Sequence, residues 1–285
     1  MFVTFSFQKE PEPQNGRLHI KDRIRRLLKP PQTTFERVEL LDSFFTDVRI
    51  GARLCADEKQ ERLLRQSCRM ALCAEGCELP QGFRFAVSDG DILRMLVHIL
   101  CHTATEALDS SNLPLYCRCI AFIDPHGAHG ALLEQLIKFS PEVIVYTENR
   151  RLYQGYADKV LEEYGAPIQF AENPQSLARA SLALDTGGIP LPSIYPVPIL
   201  TACLEEIADG NLRLWQPDWR LEPADAVIPP GINRYAFYAA LHDRCKAREI
   251  YRLRASTLRC KNRIVHLPDI ASQILLNQSQ ALIVR

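Results

Sequence analysis

Residues 116–131, YCRCIAFIDPHGAHGA, are the clearest indication of fold class in this chain. Their first half is a nearly continuous apolar run, which is typical of a parallel β-strand buried on both faces. A turn with two glycines follows, and residues 131–139 then carry the apolar spacing of a helix. Strand, glycine turn and helix in this order begin a βαβ unit, so the stretch predicts an α/β protein.

The same alternation continues toward the C-terminus. Further short apolar runs predict strands at 142–147, 168–171, 181–185 and 212–215. Helical patterns stand at 150–164, 174–179, 197–208 and from residue 233 onward. Gly165 is placed where a left-handed residue would end the first of these helices. Because parallel strands joined by helices cross over with one hand, we predict a doubly wound, mainly parallel sheet with Gly127 and Gly187 at its carboxyl edge.

Helical spacing dominates the first 110 residues. Amphipathic patterns recur at 20–28, 34–46, 57–73 and 88–108, after a short strand at residues 1–8. Ser88 or Asp89 is placed to cap the last of these helices with a side-chain oxygen. The chain is therefore predicted to contain a mainly helical N-terminal region, residues 1–112, and a doubly wound α/β domain, residues 113–285.

Composition and charge narrow the class of partner. Lys+Arg and Asp+Glu both number 34, so no net field draws the chain to nucleic acid or to an anionic membrane. The sequence has no run of 18 apolar residues, and its first ten residues lack a cationic segment that leads into an apolar stretch, so we expect neither a membrane span nor a secretory signal. Ten cysteines without an export signal suit a reducing compartment. We therefore expect a cytoplasmic protein that acts on a small molecule, without a membrane or nucleic-acid partner.

The glycine turn matches part of the dinucleotide-binding fingerprint G-x-G-x-x-G. Pro125 takes the position of the first glycine, Gly127 that of the second and Gly130 that of the third. The second glycine lets the backbone approach a diphosphate, and the third lets helix and strand pack closely. Free N–H groups at the start of the next helix also attract an anion. Pro125 departs from the pattern because it cannot adopt a positive φ.

An acidic residue follows at the expected distance. Glu148 lies 21 residues after Gly127, directly after the second predicted strand, where the fingerprint requires a carboxylate for the ribose hydroxyls. Arg150 and Arg151 come next, and a guanidinium at this place can pair with a 2′-phosphate. The pattern predicts binding of NADP or NAD, and the charge-assisted hydrogen bonds of an arginine favour NADP.

These stretches resemble the NAD(P)-binding domains of the shikimate dehydrogenase and glutamyl-tRNA reductase families over residues 116–190. The matching segments are PHGAHGA at 125–131, NRR at 149–151 with ADKVLEEYG after it, and ASLALDTGGIP at 180–190. The resemblance implies a Rossmann-like fold and three groups of cofactor contacts. The diphosphate would contact Gly127, Ala128, His129 and Gly130, and the adenosine ribose or its phosphate would contact Glu148, Asn149, Arg150 and Arg151. The nicotinamide side would contact Thr186, Gly187 and Gly188. The N-terminal region has neither the Asn-Val-Thr-x-Pro-x-Lys segment of the first family nor the nucleophilic cysteine context of the second, so no catalytic residue is predicted.

Two other interpretations share this layout. An S-adenosylmethionine-dependent methyltransferase also has a glycine turn after its first strand and an acid after its second, although His126 stands where that class prefers glycine. A Rossmann-like module that has lost its ligand, or that works through a partner, would keep the same fold because fold and function separate readily. The main prediction is an NAD(P)-binding protein with oxidoreductase activity on a substrate that the sequence does not identify.

Histidine and cysteine clusters complete the set of candidate sites. His98, Cys101 and His102 share one helical face, but the helix around them is apolar, so we interpret them as facing the core rather than a metal. Two cysteine pairs, 73 with 77 and 117 with 119, lack the C-x-x-C spacing of zinc and redox sites. The sequence therefore predicts no metal site.

Overall fold

The computed structural model describes residues 2–7, 34–40, 43–50, 62, 66, 70–79, 81–187, 197–203, 214–218, 227–242, 257–260 and 263–283. By its internal contacts the chain divides into two compact units: unit 1, Met1–Ile92 with Pro223–Arg252, and unit 2, Leu93–Glu222 with Leu253–Arg285. The sequence places the boundary at residue 112. The contacts place it between Ile92 and Leu93 and give unit 1 a second segment from the C-terminal half of the chain.

The helices and strands alternate over most of the described chain. The strands are β1 Phe2–Phe7, β2 Thr34–Leu40, β3 Ser43–Ile50, β4 Met70–Cys73, β5 Arg84–Phe85, β6 Cys119–Ile123, β7 Glu142–Tyr146, β8 Gln169–Phe170, β9 Leu182–Asp185, β10 Ile199–Thr201, β11 Leu214–Asp218, β12 Thr257–Cys260 and β13 Arg263–Val265. The helices are α1 Asp89–Ser110, α2 Leu133–Ile137, α3 Arg150–Tyr164, α4 Arg234–His242 and α5 Leu267–Ile283. Short 3-10 turns stand at Leu115–Cys117, Gly130–Leu132 and Pro174–Arg179. Among the described residues, no helix has the length and apolar character needed to cross a membrane.

Unit 1 contains a mixed sheet with the strand order β2-β3-β1-β4-β5. β1 runs parallel to β3 and β4, β5 runs parallel to β4, and β2 is antiparallel to β3. Phe2 and Phe45 pack against Phe237 of α4, with ring centroids between 5.1 and 5.7 Å apart. Val3 and Phe5 belong to a second buried apolar cluster. Because successive residues of a strand point to opposite faces, β1 has both faces buried and forms the centre of this sheet.

The described part of the N-terminal region contains strands where the sequence predicts helices. Of the residues 34–46, predicted as a helix, 34–40 form β2 and 43–46 begin β3, and these two strands pair antiparallel. Phe35 and Val38 are half-buried and three residues apart, which imitates helical spacing, but Thr, Phe and Val favour extended backbone. Within the predicted helix 57–73, Arg62 and Gln66 are helical, whereas the last residues form β4. The predicted helix 20–28 lies outside the described residues, whereas the short strand at the start and the helix at 88–108 are confirmed as β1 and α1.

Unit 2 contains a larger sheet with the order β13-β12-β11-β10-β9-β6-β7-β8. The strands from β6 to β11 are parallel, whereas β12 is antiparallel to β11 and β13 to β12. Counted in chain order from β6, the parallel part has the order 3-2-1-4-5-6. This order is consistent with a Rossmann-like α/β fold. The prediction that the four apolar runs between residues 116 and 185 are neighbours in one parallel sheet is confirmed.

One predicted helix of unit 2 is a strand instead. Within the predicted helix 197–208, Ile199–Thr201 forms β10, which lies parallel to β9 with Ile199 beside Ala183. Both Ile199 and Leu200 are buried. A strand buried on both faces has no alternating pattern, so its sequence resembles that of a buried helix.

A cluster of charged side chains joins α2 to α3. The Glu134 carboxylate accepts hydrogen bonds from Lys159, Lys138 and Tyr164, at 3.0, 3.1 and 3.0 Å. These bonds, the one from Lys159 above all, lower the pKa of Glu134 to about 2. The carboxylate therefore stays ionised in acid and keeps the two helices linked.

We expect the Glu134 cluster to stabilise the fold at neutral pH and to lose this contribution in acid. The pKa of Glu134 falls from 4.5 to about 2 on folding, so the unfolded chain takes up the proton first and the contribution fades as the pH falls below 4.5. The melting temperatures of the wild type and of Glu134→Gln, measured at pH 7 and pH 3, should differ more at pH 7. The difference in melting temperature should be small, because the side chains of Glu134, Lys138 and Lys159 are exposed. An equal difference at both pH values would contradict this expectation.

Candidate functional site

The carboxyl ends of β6, β7 and β9 lie at one edge of the unit 2 sheet, because these adjacent strands are parallel. β7 and β8 lie on one side of β6 and β9 to β11 on the other, so the strand order reverses between β6 and β9. Open α/β sheets bind ligands at such a switch point. This edge carries the predicted site residues 127–130, 148–151 and 186–187, and it includes both Gly127 and Gly187 as predicted; Gly188 lies outside the described residues.

Pro125 shapes the turn after β6. The Gly127 amide donates to the Asp124 carbonyl at 3.1 Å, so residues 124–127 form a β-turn with proline in its second position, where proline is favoured. Gly127 has a φ of +71°, which residues with side chains rarely adopt. The Pro125 carbonyl accepts a hydrogen bond from the Glu148 amide at 3.1 Å, which fixes the turn to the loop after β7. Proline at the first glycine position is therefore compatible with an ordered turn.

The Asp124 carboxylate is a buried hydrogen-bond centre beside this turn. Its Oδ2 accepts from the Tyr153 hydroxyl at 2.6 Å and from the His129 amide at 2.8 Å, and Asp124 is 1 % exposed. Burial first, and the bond to the carboxylate second, raise the pKa of Tyr153, so the phenol keeps its proton and donates it. The carboxylate thereby ties the glycine turn and α3 to the end of β6.

His129, a predicted ligand contact, is buried within the loop. Burial lowers the pKa of its imidazole, an effect that Asp124 opposes and Arg94 of α1 reinforces. Its backbone amide is already bonded to Asp124. In this structure His129 therefore supports the turn from the inside.

Helix α3 closes over both glycines of the turn. A Cβ atom at Gly127 would lie 3.1 Å from the Asn149 Cβ and 3.2 Å from the Leu152 Cδ1, and a Cβ atom at Gly130 would lie 2.5 Å from the Tyr156 ring. Both positions therefore need glycine so that α3 can pack. The fingerprint assigns close approach of the diphosphate to the second glycine, but the Cβ side of Gly127 faces protein here. The helix predicted at 131–139 is shortened to a 3-10 turn and the five residues of α2.

Exposed polar groups remain at the rim of this turn. Ala128 is exposed, and its amide forms no hydrogen bond with any described residue. Glu148, two residues after the end of β7, is exposed. The side chain of Asn149 is already bonded to the turn, because its nitrogen donates to the His126 carbonyl at 3.2 Å. In the loops after β6 and β7, the Ala128 amide and the Glu148 carboxylate are therefore the predicted groups that can face a ligand.

The two arginines at the start of α3 differ in their surroundings. The Arg150 Nη2 donates to the Ala171 carbonyl at 3.3 Å, and its guanidinium carbon lies 5.9 Å from the centre of the Phe170 ring. Arg150 is therefore held against the end of β8. Arg151 is exposed, and within the described part of the chain its guanidinium has no hydrogen-bond or ion-pair partner. Arg151 is the cation that is free to turn toward a ligand.

A second buried carboxylate ends β9. Asp185 Oδ2 accepts from the Thr201 hydroxyl at 2.7 Å, and Oδ1 accepts from the Gly187 amide at 3.2 Å. Burial raises the pKa of Asp185, and both hydrogen bonds oppose this rise. The structure describes two of the residues predicted to contact the nicotinamide side, Thr186 and Gly187. Thr186 is buried, whereas Gly187 is partly exposed and has a φ of +88°.

The histidines and the cysteine of α1 belong to the interior of unit 2. Cys101 is fully buried, which raises the pKa of its thiol, and His102 is 9 % exposed. The rings of His98 and His102 lie 5.0 Å apart, and the Gln135 side-chain nitrogen is 3.4 Å from both ring nitrogens of His102. No group of three or more His, Cys, Asp or Glu side chains among the described residues could hold a metal ion. Cys101 and His102 face the core as interpreted, whereas His98 is half-buried.

Comparison with known proteins assigns this chain to no family. No family model, no curated protein and no solved structure matches it. The strand order and the groups at the carboxyl edge of unit 2 are therefore the observations that support a function.

Proposed function

We propose that unit 2 is a Rossmann-like module that binds NADP or NAD at the carboxyl edge of β6, β7 and β9. The observation that carries this proposal is the 3-2-1-4-5-6 order of the parallel strands, with its reversal between β6 and β9 beside the turn 124–130. Dinucleotides bind at this point of such sheets. The same edge also carries the Glu148 carboxylate, after the second parallel strand, and Gly187, a glycine with positive φ after the fourth.

The exposed groups suggest how the nucleotide lies on this edge. The Glu148 carboxylate accepts hydrogen bonds from the adenosine ribose, because its backbone is fixed to Pro125 while its side chain is exposed. The diphosphate lies over the free amide of Ala128 rather than against Gly127, whose Cβ side is filled by α3. The nicotinamide end points toward Gly187.

A bound nicotinamide would supply hydride transfer to or from a small-molecule substrate. The chain's own residues supply binding and orientation at the edge of the sheet. The oxidoreductase activity expected from the sequence is therefore proposed without an assigned catalytic residue.

A ligand-free Rossmann-like module is the second candidate. The observation that favours it is the closure of α3 over Gly127 and Gly130, because packing alone then explains both glycines. Under this alternative the edge contacts a protein partner or has no ligand, and the fold persists.

A thermal-shift panel on the full chain separates these candidates and the methyltransferase interpretation. NADP and NAD should each raise the melting temperature, since a ligand bound only by the native state stabilises it by about 2.7 kcal/mol at a hundredfold excess over Kd. Glu148→Ala should abolish most of this shift and leave the unliganded melting temperature unchanged. Glu162→Ala, an exposed glutamate farther along α3, is the matched control and should behave as wild type. A shift with S-adenosylmethionine alone, or with no compound, would reject NAD(P) binding.

Arg151 should set the preference between the two cofactors. Charge-assisted hydrogen bonds of a free guanidinium to a 2′-phosphate contribute about 1.5–3 kcal/mol. We expect NADP to bind more tightly than NAD, and Arg151→Ala to reduce the ratio of the two Kd values about tenfold. Arg150→Ala, the matched control, should change this ratio less because Arg150 is held by Ala171 and Phe170. The reverse order of the two variants would contradict this assignment.

A further inference from the structure

Two cysteines of unit 1 stand at either side of a tight turn after β4. Cys73 is the last residue of the strand, and the Cys77 amide donates to the Ala74 carbonyl at 2.9 Å. Gly76, inside this turn, has a φ of +79°. A β-turn with glycine in its third position reverses the chain between the two cysteines, which are four residues apart in sequence.

Both side chains pack against the same apolar cluster. Cys73 and Cys77 are half-buried and contact the group formed around Phe5, Ala71 and Phe83. Cys73 lies beside Phe5 in the register of β1 and β4. Both cysteines are free thiols in this structure. The turn and the shared cluster therefore place two reduced thiols in one apolar environment.

We propose that Cys73 and Cys77 are a redox modification site, which small-molecule disulfides oxidise to a reversible intramolecular disulfide. A disulfide bond is apolar and carries no charge, so the cluster that holds the two thiols also suits the oxidised pair. The turn 74–77 supplies the chain reversal that the linkage needs.

The exchange takes two steps. A thiolate of the pair attacks one sulfur of the small-molecule disulfide, breaks its S–S bond and releases one small thiolate, which takes up a proton. The second cysteine, as thiolate, then attacks the protein-side sulfur of the mixed disulfide and releases the other small thiolate. The two cysteines lose two electrons and two protons, and one small-molecule disulfide becomes two thiols.

The environment of the pair makes this oxidation slow at neutral pH. Burial, with the neighbouring Cys77 as a smaller effect, raises the pKa of Cys73 to about 11, and burial also raises the pKa of Cys77. The thiolate is the attacking form, so the rate should rise about tenfold for each pH unit well below these pKa values.

Residues 117 and 119 provide an internal control. Cys117 and Cys119 are also free thiols and are separated by a single residue. Cys119 begins an extended strand, and the β-turn that reverses the chain at Cys73 and Cys77 is absent between these two residues. Cys117 ends a 3-10 turn, and Arg118 between the two cysteines is extended, which holds their backbones about 6–7 Å apart, so they should remain thiols under the same conditions.

The test exposes the reduced full chain to mixtures of oxidised and reduced glutathione and then alkylates the remaining thiols. Trypsin releases residues 70–84 as one peptide that contains Cys73 and Cys77 and no other cysteine. We expect this peptide to escape alkylation and to lose two hydrogen masses, at a rate that increases with pH, while Cys117 and Cys119 are alkylated. In the Cys77→Ser variant, Cys73 should carry either an alkyl group or one glutathione, because its partner for the intramolecular disulfide is missing.

Three results would overturn the proposal. The first is double alkylation of the peptide 70–84 in the most oxidising mixture, the second is two attached glutathiones, and the third is a link from this peptide to another cysteine of the chain. A rate that does not change with pH would reject the thiolate step. Return of both thiols with dithiothreitol is expected and establishes reversibility.

Discussion

Asp124→Ala should lower the free energy of unfolding by about 2–5 kcal/mol, because it removes the acceptor of two buried hydrogen bonds. The Tyr153 hydroxyl and the His129 amide would both lose their partner in a region that water does not reach. Each buried donor without an acceptor costs about 1–3 kcal/mol. Urea unfolding at neutral pH, followed by circular dichroism, measures the change.

Two further variants make this expectation specific. Asp158→Ala removes an exposed carboxylate of α3 and should change stability by about 0.5 kcal/mol or less. Tyr153→Phe combined with Asp124→Ala should cost less than the sum of the single changes, since both disrupt one hydrogen bond. Stability of Asp124→Ala within about 0.5 kcal/mol of wild type would show that the carboxylate does not hold the turn.

Gly130→Ala should destabilise unit 2 by about 1–3 kcal/mol through overpacking. The new Cβ would lie 2.5 Å from the Tyr156 ring, so the ring or the turn must move. Tyr156→Ala removes the obstacle and should rescue the glycine variant, so the double variant should be more stable than additivity predicts. Gly155→Ala is the control, because a Cβ at Gly155 meets no atom within 4 Å. Additive effects of Gly130→Ala and Tyr156→Ala would contradict the packing of α3 on the turn.

The parallel part of unit 2 could be predicted from sequence because its signals are local. Buried parallel strands give short apolar runs, and the helices between them show their own period. Gly165, predicted to end a helix, does so with a φ of +66°. Ser88 accepts a hydrogen bond from the Asp91 amide at 3.3 Å and so caps α1 as predicted.

The errors occur where two structures share one local pattern. Phe35 and Val38 imitate a helical face, and the pairing of β2 with β3 decides for strand. β10 has no alternation because both of its faces are buried. In both places contacts between distant residues determine the secondary structure, and a single sequence does not display them.

The candidate site was predictable in position but not in its contacts. The glycine turn, Glu148 and the two arginines follow predicted strands, so their common edge could be derived. The bond between Asp124 and Tyr153 joins residues 29 positions apart, and no spacing rule reveals it. A polar residue at the end of a buried strand is the available signal, and it identifies both Asp124 and Asp185.

Titration calorimetry of the full chain with NADP, and separately with NAD, measures cofactor binding to unit 2 directly. We expect saturable binding of both cofactors at one site, with NADP the tighter ligand, and weaker binding of either cofactor by Glu148→Ala. No heat with either cofactor, from a protein that still unfolds cooperatively, would contradict dinucleotide binding at the edge formed by β6, β7 and β9.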